Sequence, residues 1–292
     1  FQAPFSYQVS QDAVLACFYR RRVAARIVQV LLPETAVSEP LYVRWDKQRR
    51  AYVLGCQLIQ GRGIRPASVD TGMLQRVVRR LFGLRLPETD RTPAEIEQLL
   101  ILMEKLEALF RECGLIGSGW QVSISAMVST ANLLKTPSGY VLVDLESGIP
   151  AILVPAYLAA GRQLQSLPLF DDIEPRTLRG FLENHWLVLG EKLGRGGFQQ
   201  LSDDVELLIE HTRQWKQAEI ALGRPGTSIF SRTFQNAYRE RCISIWQRRE
   251  LVDAQTAAQL RSENRLWSRP LYWLGLIPGA PGRFLQRLCG NR

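Results

Sequence analysis

Apolar and polar positions alternate along this chain first with a helical period, then with a strand period. From Ser10 to about Leu32 the residues Val14, Leu15, Phe18, Val23, Ile27 and Leu31 recur on one side, and the basic cluster Arg20, Arg21 and Arg22 falls on the other. That spacing predicts an amphipathic helix ending before Pro33, whose ring cannot continue it. LYVRWD and AYVLGCQLI flank the charged turn Lys47-Gln48-Arg49-Arg50 and read as two strands of a hairpin. Gln60-Gly61-Arg62-Gly63 then breaks the pattern and reads as a hinge.

Met73 to Leu84 predicts a short helix. The best-marked helix follows it, with Thr92 as N-cap, Pro93 at the first helical position, Glu95 completing a capping box and Gly114 closing the far end. Ile96, Leu99, Leu100, Met103, Leu106 and Phe110 give it one apolar face, so it is a core helix. VSISAMV leads into NLLKTPSGYVLVDLE, two strands around the turn Thr136-Pro137-Ser138-Gly139. Beyond Pro150 the pattern is mainly helical, punctuated at Pro168, Gly194-Arg195-Gly196-Gly197 and Pro225. No internal repeat or low-complexity tract is visible.

Composition narrows the class. The chain has 292 residues, 46% of them hydrophobic, enough for one large domain or two small ones without covalent staples. Cys17, Cys56, Cys113, Cys242 and Cys289 are scattered and odd in number, which argues for reduced thiols in a cytoplasmic protein and against disulfides or structural zinc. The net charge of +9 comes almost wholly from Arg, with only Lys47, Lys105, Lys135, Lys192 and Lys216 besides. Such a ratio fits a GC-rich genome, and no aromatic-interleaved motif points to nucleic acid. No run of eighteen apolar residues predicts a spanning helix. Phe1 is followed by nothing like a signal peptide, and the expectation is a chain that begins inside a longer protein.

The order helix, strand pair, hinge, long helix, loop, then hairpin ending in an acid resembles that of the protein-kinase-like superfamily from its regulatory helix onward. In that family a loop Asn and an Asp closing the next strand pair bind the metal ions that bridge nucleotide phosphates. The resemblance assigns these roles to Asn132 in STANLLK and Asp144 in VLVDLESG, both as metal and as nucleotide-binding residues. Glu146 completes a D-x-E form similar to that of choline- and aminoglycoside-kinase-like enzymes, and is an extra metal candidate. Because VLV is wholly apolar, Asp144 is expected at a buried strand end, where a carboxylate needs a cation or partner. Magnesium and ATP are the implied cofactors, since magnesium takes a few carboxylate and amide oxygens with phosphate and water.

The resemblance fails at one decisive position. Kinases place an Asp five residues before the loop Asn to accept the substrate hydroxyl proton. Here that position is Met127, with Ser125 where a His usually precedes it. The Gly-rich loop and phosphate-pairing lysine that belong before the first helix have no room, since only nine residues precede it; and that helix, with Asp12 its lone acid, offers no Glu to pair such a lysine. The similarity is to atypical bacterial branches, the lipopolysaccharide-core (Kdo) kinases and the ubiquinone-biosynthesis type. It implies an α+β, two-lobed kinase-like fold: a partial N-lobe over 1–62, a C-lobe with the metal hairpin over 63–198 and a helical C-terminal extension over 199–292.

Other chemistry-bearing residues read as structural. His185 and His211 sit in helical patterns beside apolar residues. Asp171-Asp172 precede Pro175 as a helix-capping loop. Gly114, Gly117 and Gly119 match neither phosphate-loop spacing, and Gly194 to Gly197 read as a linker. The tail RLWSRPLYWLGLIPGAPGRFLQRLCGNR mixes Trp267, Tyr272, Trp273, Leu274 and Ile277 with Arg265, Arg269, Arg283 and Arg287; it either packs back onto the helices or lies at a membrane interface. Three functions follow: a phosphotransferase from ATP to a sugar, lipid or protein hydroxyl; a pseudokinase scaffold; and a peripheral protein of the inner membrane surface, for which the basic first helix and the tail are the evidence. The partners expected are a nucleotide, a hydroxyl acceptor and a membrane surface, without nucleic acid.

Overall fold

Ser10 starts the first helix by chemistry visible in the sequence: its extended backbone lets the hydroxyl accept the Ala13 amide at 3.3 Å. Helix α1 (Gln11–Leu31) ends where Leu32 N–H donates to Val28 O. The computed structural model of the chain describes residues 10–63, 93–123, 132–145, 173–218 and 232–262. The helix expected at Met73 to Leu84, the Thr92 cap, Ser125, Met127, Glu146, Asp171-Asp172 and the aromatic tail lie outside them.

Strands β1 (Thr35–Val37), β2 (Pro40–Asp46), β3 (Ala51–Cys56) and β4 (Arg62–Gly63) follow. β2 and β3 form the expected hairpin, with Val43 opposite Leu54 and Trp45 opposite Tyr52. The reversal lies at Asp46, whose carboxylate accepts the amides of Gln48 and Arg49 at 2.9 and 3.0 Å, an Asx turn. Helix α2 (Pro93–Glu112) is the core helix predicted from its apolar face, and short α3 (Ile116–Gln121) follows. Between them Gly114 adopts φ +79, and a Cβ there would lie 2.9 Å from Glu174 O and 3.0 Å from Leu178 N. Only glycine allows the start of the later helix at Pro175–Asn184 to come this close.

Strands β5 (Leu133–Thr136) and β6 (Gly139–Leu142) form the second hairpin around the predicted turn. The four-stranded sheet runs β1-β6-β5-β4, with β1 parallel to β6 and the other pairs antiparallel. Helices α4 (Pro175–Asn184), α5 (Trp186–Ala218), α6 (Arg232–Arg248) and α7 (Ala254–Ser262) complete the described chain. The architecture is mixed α+β with small sheets, as expected. Arg50 at the β2–β3 turn donates from one guanidinium nitrogen to the carbonyls of Arg249 and Glu250, both at 2.9 Å. A cation thus meets the negative end of α6.

One apolar cluster joins α1, β1, α2, β5, β6, α4 and α5, through residues such as Ile27, Val37, Leu106, Leu133, Leu142, Leu178 and Leu208. The helix expected in an N-lobe and the helix expected in a C-terminal extension therefore share a core. The boundary expected at residue 198 falls inside α5. Gly194, with φ 72 and ψ 165, is non-helical and divides α5 into two helical segments at a kink.

The basic cluster of α1 is not a solvated face. Arg20 and Arg21 are buried, at 1% and 4% exposure. Arg22 Nε lies 3.0 Å from Asp204 Oδ2 on α5, and Arg26 donates to Gly197 O at 3.0 Å and to the Gln200 side chain. The helical period of α1 marks one apolar face correctly; it cannot register that other elements cover the opposite face and supply partners for its charges. These arginines therefore bind elements of the protein itself.

Candidate functional site

The β5–β6 hairpin brings Asn132 and Asp144 toward the same end of the sheet. Val143 N–H donates to Asn132 O at 2.8 Å, which continues the ladder one rung beyond Leu133 opposite Leu142. Asn132 therefore stands across from Val143, and Asp144 lies one residue further along. In a regular strand Asp144 would share a face with Leu142. Leu142 is fully buried while Asp144 is exposed, so the backbone has turned out of the ladder by that point. The expectation of a buried acid is corrected accordingly: the apolar VLV run is core as far as Leu142, and the turn after it carries the carboxylate to the surface.

Asn132 is held by Gln121 at the end of α3. Its Nδ2 donates to Gln121 O at 2.9 Å and to Gln121 Oε1 at 2.8 Å. A backbone carbonyl accepts only, so the amide orientation is forced and Oδ1 is directed away from Gln121. An amide that ligates a cation does so through that oxygen. The Asn132 side chain thus ties β5 to α3.

Arg21 completes the neighbourhood. Its Nη2 donates to Val143 O at 2.9 Å and its Nη1 to Ser38 O at 3.5 Å. Ser38 N–H in turn donates to Leu142 O at 2.9 Å, so the chain after β1, helix α1 and the end of β6 are stitched together immediately before Asp144. Sequence reading missed Arg21 and Gln121 as site-shaping residues. Neither sits in a motif, and the contacts that matter span 122 and 11 positions.

The donor set fits a hard cation of the magnesium class only with help from outside the protein. Asn132 Oδ1 and the Asp144 carboxylate are two oxygens, and magnesium completes its octahedron with phosphate and water. Among the described residues no group of three His, Cys, Asp or Glu side chains forms a metal cluster. The guanidinium of Arg21 lies beside the end of β6, buried and donating to the Val143 and Ser38 carbonyls.

The remaining candidates are structural. His185 Nδ1 lies 3.0 Å from Phe181 O with its ring stacked on Phe181, at the end of α4. His211 Nδ1 lies 3.0 Å from Asp12 Oδ1 and its ring stacks on Tyr19, joining α5 to the first turns of α1. Burial pushes the Cys113 thiol up to about 12, which removes it as a nucleophile at neutral pH. No helix among the described residues is long and apolar enough to cross a membrane. Comparison of the chain with protein-family models, with curated proteins and with solved structures finds no match.

Proposed function

We propose that this chain is an atypical kinase-like phosphotransferase of two-lobed ancestry, with Asn132 and Asp144 holding magnesium-bound ATP and a sugar, lipid or protein hydroxyl as acceptor. The observation that supports the reading is that an amide oriented by Gln121 and an exposed carboxylate fall at the same end of the β5–β6 hairpin. Gln121 engages the Asn132 nitrogen and leaves its oxygen as the free end of the amide, and Arg21 fixes the strand end that precedes Asp144. Glu146 is the further metal candidate from sequence. Magnesium, when bound, neutralises phosphate charge and aligns the transferred group; most of phosphoryl transfer is such positioning, so the absence of an Asp at Met127 does not by itself forbid it.

Thermal melting with ATP, with and without magnesium, tests this directly. A magnesium-dependent rise in melting temperature that Asp144→Ala removes supports the site. No shift in the unaltered protein overturns it.

Met127 and Ser125, in the positions of the missing base and its His, favour a second reading: a pseudokinase scaffold that binds nucleotide without transferring phosphate. Turnover of radiolabelled ATP that is lost in Asp144→Ala excludes the scaffold. A nucleotide-dependent melting shift without turnover selects it.

A further inference from the structure

Among the described residues, the most conspicuous exposed apolar surface lies away from the hairpin. Three consecutive large apolar residues, Trp186, Leu187 and Val188, are 57%, 64% and 44% exposed where α4 passes into α5. Trp186 also lines a groove of about 460 Å³ with Leu182, Phe198 and Val205. Contiguous exposed apolar surface beside a concavity marks an interaction site more often than chance.

The outward stripe of α4 identifies the occupant. Arg176, Arg179, Gly180 and Glu183 share one face by helical spacing, and the three charged members are exposed. A Cβ built on Gly180 would meet nothing within 4 Å, so the middle of this stripe is low and open. The charges run against the helix dipole: the first turn of α4 has Arg176 and no acid, while the last turn has Glu183 and no base. Glu174 at the N-cap does not relieve this through a side-chain cap bond, its carboxylate accepting the Thr177 hydroxyl instead. An antiparallel copy of the same helix relieves both ends at once. It sets Arg176 opposite Glu183 of its mate, opposes the two dipoles and crosses at Gly180, where the backbones can approach.

An anionic bilayer is the poorer fit. Around this corner Arg176, Arg179, Lys192 and Arg195 are matched by Glu174, Glu183, Glu191 and Glu206, a balanced surface in a chain of net charge +9. A membrane-binding surface carries an excess of Lys and Arg.

We propose that the exposed α4 stripe and the adjoining Trp186-Leu187-Val188 corner form a two-fold interface with a second copy of this chain. Such an isologous contact uses one self-complementary patch twice. The interface is independent of any nucleotide chemistry at the hairpin.

Sedimentation velocity of the full chain over a wide concentration range tests it. A dimer is expected; Trp186→Ala weakens it about tenfold or more, as loss of a buried aromatic anchor does. Arg176→Glu is expected to weaken the dimer, and adding Glu183→Arg to restore it, a rescue that only pairing with a copy of itself produces. Thermal melts of the separated monomers check that the variants fold. A chain that stays monomeric at every concentration overturns the proposal, as does a dimer indifferent to Trp186→Ala and Arg176→Glu. A monomer that floats with anionic vesicles through Trp186 also overturns it, and assigns the corner to lipid.

Discussion

Helix α1 and the end of strand β6 place charge in opposite ways. The arginines of α1 lie on what the sequence pattern marks as a polar face, yet Arg20 and Arg21 are buried and Arg22 is paired with a buried carboxylate. Asp144 follows an apolar run that the pattern marks as interior, yet it is exposed. The difference teaches that local hydropathy reports which residues avoid water, not which charged residues are denied it. A guanidinium can be buried when carbonyls and a carboxylate from distant elements receive its N–H groups.

Arg21→Met provides the largest break in that comparison. It leaves the carbonyls of Val143 and Ser38 without their charged donor inside the core, and a loss of about 3 kcal/mol is expected from urea unfolding with an unchanged m value. A loss as small as that of a surface substitution would mean that the buried arginine is not structural. Arg22→Ala is expected to cost about 2 kcal/mol, less than a fully buried pair because Arg22 retains 23% exposure while Asp204 is left without its nearest cation.

Asp204 sharpens the contrast through pH. Desolvation raises its carboxyl above the ordinary value, with Arg22 and then Arg26 opposing the rise and Asp203 adding to it. The folded state therefore binds the proton more tightly than the unfolded chain. Stability from this group is present below the ordinary carboxylate range and declines as pH rises through the raised folded value, then levels off. Asp204→Asn removes that dependence, so stability curves of the two proteins are expected to diverge toward neutral pH; parallel curves would contradict it. Glu206, held low first by its hydrogen bond to Arg179, acts in the opposite sense: its contribution is lost as pH falls.

The smallest effect on stability belongs to Asp144→Ala, at most about 1 kcal/mol, because its carboxylate is exposed. The same change is expected to abolish the magnesium-dependent response to ATP. A buried charge that matters for folding and an exposed charge proposed to bind nucleotide would then be separated by experiment.

Much of the fold was legible from the chain. Ser10 and Pro33 bound α1, the KQRR turn bounds the first hairpin, Pro93 and Gly114 bracket α2, and TPSG reverses the second hairpin. Each is set by local backbone chemistry acting over a few residues, which is why sequence alone determined it. Of the site, Asn132 and Asp144 were named through a resemblance, but their setting was not visible. The covering of α1 by α5, the grip of Gln121 on Asn132 and of Arg21 on Val143 depend on partners from separate elements of the chain. Only packing decides which polar groups meet across such distances, because burial and hydrogen bonding are fixed by the whole core rather than by neighbours in sequence.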